Sequence, residues 1–281
     1  MNAMPMQETI YAVADRVATI TLNRPEKLNA WTATMEKEVR SCVEEAERDD
    51  GVRIIVLAGA GRGFCAGADM SLLSSVAAEG LPGGAGEAAS RLGGNTLQRA
   101  GIPADFQKKY SYFVGIEKPI LAAINGPVVG LGLVIALYCD LRLASEAARF
   151  STTFAQRGLI AEYGMAWMLP RIVGISNALD LLFSARTINA GEALRMGLVN
   201  QIFVQESFLD KVHEYAVDLA SRVSPRSLRV IKRQVYRAMF QTLAESFDLS
   251  VEEMVESLRS EDFKEGVAHF LEKRTAAFKG R

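Results

Sequence analysis

Apolar residues recur along this chain at two spacings, and the changes from one to the other mark its elements. Over Val17 to Leu22, Ala18, Ile20 and Leu22 share one face, and Asp15-Arg16 turns that run back on Ile10 to Val13. A period of two predicts a hairpin leading into a sheet. NRPEKLNA, Asn23 to Ala30, is a loop, after which Met35, Val39, Cys42, Val43 and Ala46 recur at helical spacing with charges opposite. Arg53 to Ala58, RIIVLA, has the continuous apolar character of a buried strand.

The same order returns around Lys118 to Asp140, KPILAAINGPVVGLGLVIALYCD. Pro119 opens an apolar run of strand length, Ile120 to Ile124. Asn125-Gly126-Pro127 reads as a turn, and Gly130-Leu131-Gly132 leads into an apolar helix of about two to three turns. Short strands are expected at Leu141 to Ala144 and Arg149 to Ser151, then a loop at Gly158 to Gly164 and an apolar segment at Met165 to Leu169. Ile175 to Phe183 and Ala190 to Met196 read as helices, the second stopped by Gly197. From Glu206 onward the pattern is helix after helix, broken at Ser224-Pro225, with apolar stripes that need a partner in the core or in another subunit. Strand, helix, strand order predicts an α/β architecture with crossover connections.

Composition narrows the function classes. With 281 residues, 49% hydrophobic and a net charge of -1, the chain can bury one large core, and its charge argues against nucleic acid or an acidic membrane as main partner. No stretch suits a bilayer span, and MNAMPMQETI lacks the features of a signal peptide. Three scattered cysteines, Cys42, Cys65 and Cys139, have no metal spacing and point to a reducing cytoplasm. His213 and His269 are the only histidines, which leaves little material for a histidine metal site or a Ser-His-Asp triad.

Two glycine-rich turns remain. GAGRGFCAGADM, Gly59 to Met70, follows a strand, and Gly61-x-Gly63-x-x-Ala66 fits a loose dinucleotide fingerprint. No second strand ending in an acid follows about twenty residues on, so nucleotide binding is a distant reading. Ser71 to about Gln107 gives one short helical segment and then dissolves into glycine and alanine, the composition of a flexible loop or lid over a binding site.

FCAGADM (Phe64 to Met70) and KPILAAINGPVVGLGL (Lys118 to Leu133) together resemble the enoyl-CoA hydratase/isomerase family, the crotonases. NRPEKLNA, LPRIVG (Leu169 to Gly174) and FLEKRTAAFK (Phe270 to Lys279) resemble it in the same order. The resemblance implies a spiral of ββα units over residues 1–200, holding an acyl-CoA site, and a helical region over 201–281 that builds homotrimers or homohexamers. It implies no cofactor beyond the coenzyme A of the substrate. It further implies two backbone N–H groups that polarise the thioester carbonyl, assigned by position to Ala66 and Leu131. Lys27, Leu28 and Ala30 would lie along the coenzyme, and Ala66, Ala68, Asp69 and Met70 around its adenine and arm. Gly130 and Leu131 of the second turn and Phe154 would also contact the acyl-CoA, and Phe270 and Lys273 would reach in from a neighbouring subunit. For Lys27 and Lys273 a solvated surface charge is an equal reading. Asp69 reads as a turn-capping carboxylate, and Glu117 and Asp140 as structural acids.

The chain departs from the family pattern where hydratases carry two glutamates. By position these fall on Val134 and Phe154, which cannot move a proton. Glu162, in GLIAEYG, stands where some isomerases and a dehalogenase of the family carry an aspartate, and Ile160, Tyr163 and Trp167 are its expected apolar neighbours. The expectation is therefore a thioester-enolate enzyme in which Glu162 shuttles the proton, with double-bond isomerisation favoured. Hydration with one carboxylate is the near alternative, and a non-catalytic acyl-CoA-binding or assembly protein is the rival from another class.

Overall fold

A computed structural model describes residues 6–80, 85–94 and 102–281. β1 (Thr9–Ala14) and β2 (Val17–Leu22) form the expected hairpin, with Thr9 opposite Leu22. α1 (Ala33–Arg48) starts at Thr32, whose hydroxyl accepts the Met35 N–H, and it leads to β3 (Ile54–Gly59), parallel to β2. Then come α2 (Met70–Glu79), α3 (Ala85–Gly93), the single-turn α4 (Tyr112–Gly115), β4 (Ile120–Ile124), β5 (Pro127–Val129) and α5 (Leu131–Tyr138). β6 (Leu141–Ser145), β7 (Arg149–Ser151), α6 (Met165–Val173), α7 (Ile175–Ser184), β8 (Ile188–Asn189), α8 (Ala190–Arg195) and β9 (Gln201–Phe203) follow. Four helices close the chain: α9 (Phe208–Arg222), α10 (Pro225–Ala238), α11 (Leu243–Arg259) and α12 (Glu261–Glu272).

Six strands make the main sheet in the order β1-β2-β3-β4-β6-β9, parallel after the first pair, and β5-β7-β8 make a smaller one. The period of two sorts the strand residues onto two cores. Ile20, Leu22, Ile55, Leu57, Ala122 and Ile124 join the α1 face. Val17, Ile54, Val56, Leu121, Ala123 and Leu143 pack with Phe208, Val212, Ala216 and Ala220 of α9. Both faces of β3 are covered, which is why RIIVLA shows no alternation.

Several expectations change. The boundary at residue 200 cuts through the fold: β9 is a strand of the main sheet and α9 covers its second face, so the core runs at least to the end of α9. Pro127 is not only a turn residue; it opens β5 and pairs with Arg149. Among the described residues of the 71–107 stretch, α2 and α3 are regular helices and Ala104–Gln107 forms a short 3₁₀ turn, while 81–84 and 95–101 lie outside the described residues. Alanine is the best helix former, and Asp69 caps α2 by accepting the Ser71 N–H at 3.0 Å. The helical segment is therefore longer than its glycines suggest. Asp140 is structural, as expected: it accepts the Ile120 N–H at 2.7 Å and the buried Lys232 ammonium at 2.8 Å.

Candidate active site

The chain leaves β3 and β4 at the same end of the sheet, and the two glycine-rich turns that follow lie against each other. The Asn125 side-chain amide donates to the carbonyls of Gly59 and Gly61 at 2.9 and 2.8 Å, tying the second turn to the first. Cys65 and Val128 then pair as a parallel bridge, with Val129 N–H donating to Cys65 O at 3.0 Å. The approach is too close for side chains at Gly126, where a Cβ would meet Arg62 O at 2.0 Å, and at two further glycines. A Cβ on Gly132 would meet Cys65 O at 2.4 Å, and one on Gly67, whose φ is +98°, would meet Val129 O at 3.0 Å and Leu131 N at 3.8 Å.

NRPEKLNA forms the third side. Asn29, fully buried, donates to the carbonyls of Ala60 and Gly63 and accepts the Arg24 N–H. Arg24 pairs with Asp69 at 2.8 Å. Hydrogen bonds from the Ser71 N–H and then from Arg24 hold the Asp69 carboxyl down to about 2, so it is a capping group and is not free to shuttle protons.

The main-chain donors decide which groups can face a ligand. Ala66 N–H donates to Leu28 O at 2.9 Å and is consumed in the fold. The expected donor at Ala66 is therefore corrected. Trp31 N–H donates to Gly67 O and Asp69 N–H donates to Trp31 O, a bridge that leaves the Ala68 N–H between them with no acceptor among the described residues. Leu131 is the first residue of α5, after Gly130 at φ +51°, and its N–H likewise has none. It stands at the positive end of the helix.

These turns wall a cavity of about 380 Å³. Lys27, Ala30, Ala66, Ala68, Asp69 and Met70 line one side of it, and Gly130, Leu131, Phe154 and Glu162 the other. Leu28 is not on its wall; its carbonyl holds Ala66. Phe270 and Lys273 do not line it either: Phe270 is 77% exposed and Lys273 ends α12 in a left-handed conformation. Val134 is buried inside α5 and off the wall, and Phe154 presents an aromatic ring.

Glu162 lies at the end of a strained loop. Tyr163 at φ +48° and Gly164 at φ +77° turn the chain into α6, and the Tyr138 hydroxyl donates to Tyr163 O at 2.7 Å. Burial raises the Glu162 carboxyl above its ordinary range. Its expected neighbours are only partly right. Ile160 is 77% exposed and off the cavity wall, and Trp167 stacks on Phe240 at 5.4 Å beside a separate cavity. Phe154 and Leu159 supply the apolar wall instead.

Arg24, Asn29 and Asn125 brace the turns, and Thr153 and Arg157 line the cavity, with little in the local sequence to mark them. The NG step at Asn125-Gly126 was the one local signal; the others act through contacts distant in sequence. Among the described residues no group of three or more His, Cys, Asp or Glu side chains could hold a metal ion.

Comparison with known proteins agrees with this architecture. The enoyl-CoA hydratase/isomerase family profile matches residues 13–281. The chain is 32% identical to the 1,2-epoxyphenylacetyl-CoA isomerase of Escherichia coli K12, over 98% of its own length and all of the relative's. It is 32% identical to a short-chain-enoyl-CoA hydratase of Clostridium acetobutylicum, over 99% of this chain and all of that one. The crystal structure of an enoyl-CoA hydratase subunit from Geobacillus kaustophilus HTA426 superposes with a TM-score of 0.85 at 30% identity, covering 99% of this chain and 100% of the other. With its paired glycine turns, its crotonase-like sheet and a family match that runs almost from end to end, this chain belongs to the enoyl-CoA hydratase/isomerase family.

Proposed function

We propose that the protein is an acyl-CoA isomerase that stabilises a thioester enolate with the N–H groups of Ala68 and Leu131 and moves the proton with Glu162. The carbonyl oxygen of the thioester accepts from both donors. Ionised Glu162 takes a proton from a carbon next to the carbonyl or conjugated with it, and the electron pair of that C–H bond moves onto the oxygen as a dienolate. The same carboxyl then returns the proton to the other end of the conjugated system, which shifts the double bond with no atom gained or lost. Each preorganised donor of this kind is typically worth about 10²–10³ in rate.

The observation that carries this reading is that, among the described residues, two carboxylates, Asp69 and Glu162, line the cavity and only Glu162 is uncommitted. Asp69 is held ionised by its cap and by Arg24, whereas burial favours the protonated form of Glu162, as a group that must both take and give a proton requires. Lys27, Ala30 and Met70 lie where the coenzyme would run. Exposed Phe270 and Lys273 would complete its site in a homotrimer or homohexamer.

Hydration with Glu162 as sole acid–base group is the second reading, favoured by the likeness to the Clostridium hydratase. The test is a panel of enoyl-CoA thioesters in deuterated water followed by mass spectrometry. Deuterium uptake with a shifted double bond supports isomerisation, and addition of water supports hydration. Tight binding with neither would leave a non-catalytic acyl-CoA protein.

A further inference from the structure

We propose that Arg157 is a specificity-determining arm of this cavity that takes an anionic oxygen group of the bound ligand, either a carboxylate on the acyl chain or a phosphate of the coenzyme. The proposal rests on the reading of the cavity as an acyl-CoA site. Arg157 ends the 3₁₀ turn Ala155–Arg157 and lines the same cavity as Leu131 and Glu162. Its guanidinium has five N–H donors in a planar fork. Its one side-chain hydrogen bond among the described residues goes from Nη1 to Thr153 Oγ1 at 2.8 Å, and it makes no ion pair with any described carboxylate.

The acids that could have claimed it are otherwise disposed. Asp69 is bound to Arg24, and Glu162, on the same cavity, forms no ion pair with Arg157. The holder of the guanidinium is also unusual. Thr153 is buried and sits at φ +57°, a conformation that is an outlier for a β-branched residue and persists where the surroundings enforce it. Its methyl group lies against Gly130 at the start of the second donor turn, 3.2 Å from where a Cβ would stand. The wall that carries the Leu131 donor therefore also carries a tethered guanidinium with donors to spare. Such a fork matches the two oxygens of a carboxylate or phosphate.

Calorimetry with four saturated thioesters tests this: glutaryl-CoA, butyryl-CoA, butyryl-3′-dephospho-CoA and butyryl-pantetheine, each against wild type, Arg157→Gln and Arg157→Met. The second variant keeps the apolar stem and serves if the first does not fold. Loss of a charge-assisted hydrogen bond predicts about tenfold or more weaker binding. A loss confined to glutaryl-CoA identifies the acyl carboxylate as the group read. A loss for butyryl-CoA that disappears with the dephospho or pantetheine thioester identifies a phosphate. Unchanged affinity throughout, or an equal loss for butyryl-pantetheine, which carries no anion, overturns the proposal while leaving the acyl-CoA site in place. A wild-type protein that binds none of the four overturns the reading of the cavity itself, and this one with it.

Discussion

Ala66 N–H donates to the carbonyl of Leu28 at 2.9 Å, so the first glycine turn is tied to the NRPEKLNA loop through the very group that position alone marks as a catalytic donor. Two residues on, the Ala68 N–H has no acceptor among the described residues. On the proposed reading the pair of donors is Ala68 and Leu131, while Ala66 N–H braces the turn.

Leu131→Pro should lower turnover by about 10²–10³, the usual value of one such donor. Proline is tolerated at the first position of a helix, where its missing N–H has no intrahelical acceptor, so the variant should fold. Leu131→Ala keeps the N–H and should retain most activity. Steady-state kinetics on both, with circular dichroism as the folding control, check this; equal rates for folded Leu131→Pro and wild type would remove Leu131 from the mechanism.

Glu162→Gln should lower turnover by about 10²–10⁴ and leave thioester affinity nearly unchanged. The acid limb of the wild-type rate profile should lie above the ordinary glutamate value of about 4.3, because burial raises this carboxyl and only the ionised form can act as base. Unchanged turnover in the variant would assign the chemistry to another group.

The same group predicts a stability effect of definite sign. A carboxyl whose folded pKa lies above its unfolded one binds more protons in the folded state, so its contribution falls as pH rises from the unfolded value through the folded one. Glu162→Gln should therefore melt higher than wild type near pH 7, and the difference should shrink below about pH 4, where both states of the wild type are protonated. Thermal melts across that range are the measurement, and a variant that melts lower at pH 7 contradicts the assigned shift.

Lys232→Met should destabilise the fold by about 3–5 kcal/mol, the typical cost of leaving one member of a buried ion pair alone. Lys232 bridges α10 to the core through Asp140 Oδ2 and the carbonyls of Phe113 and Lys118. Urea unfolding gives the value; a loss below about 1 kcal/mol would mean that Asp140 is relieved by its other contact, the Ile120 N–H.

Leu243 at 88% exposed, Phe247 at 64% and Phe270 give α11 and α12 apolar surfaces that the described residues of the chain do not cover. Phe247→Glu should shift the protein toward monomer in sedimentation at micromolar concentration and weaken acyl-CoA binding with it, since Phe270 and Lys273 would then have no neighbouring site to enter. A wild-type monomer with full activity would count against the assembly.

Most of the sheet strands and flanking helices, their order and the family are legible in the sequence because they depend on local period and local backbone chemistry, whereas α3, β5 and β9 are not. RIIVLA and ILAAI have the length and continuous apolar character of buried strands, and Gly132 sits where no side chain fits. Three features required the tertiary structure. Whether Ala66 or Ala68 faces the ligand depends on which N–H the Leu28 carbonyl takes, a contact across many residues that no spacing reveals. The end of the core depends on α9 packing onto the second face of the sheet, which its amphipathic pattern permits but does not direct. Arg157 becomes notable only once Thr153 tethers it on the cavity wall and Arg24 has claimed Asp69. Period and propensity act between near neighbours in the chain, whereas the assignment of each donor to its acceptor is decided by which groups the fold brings together.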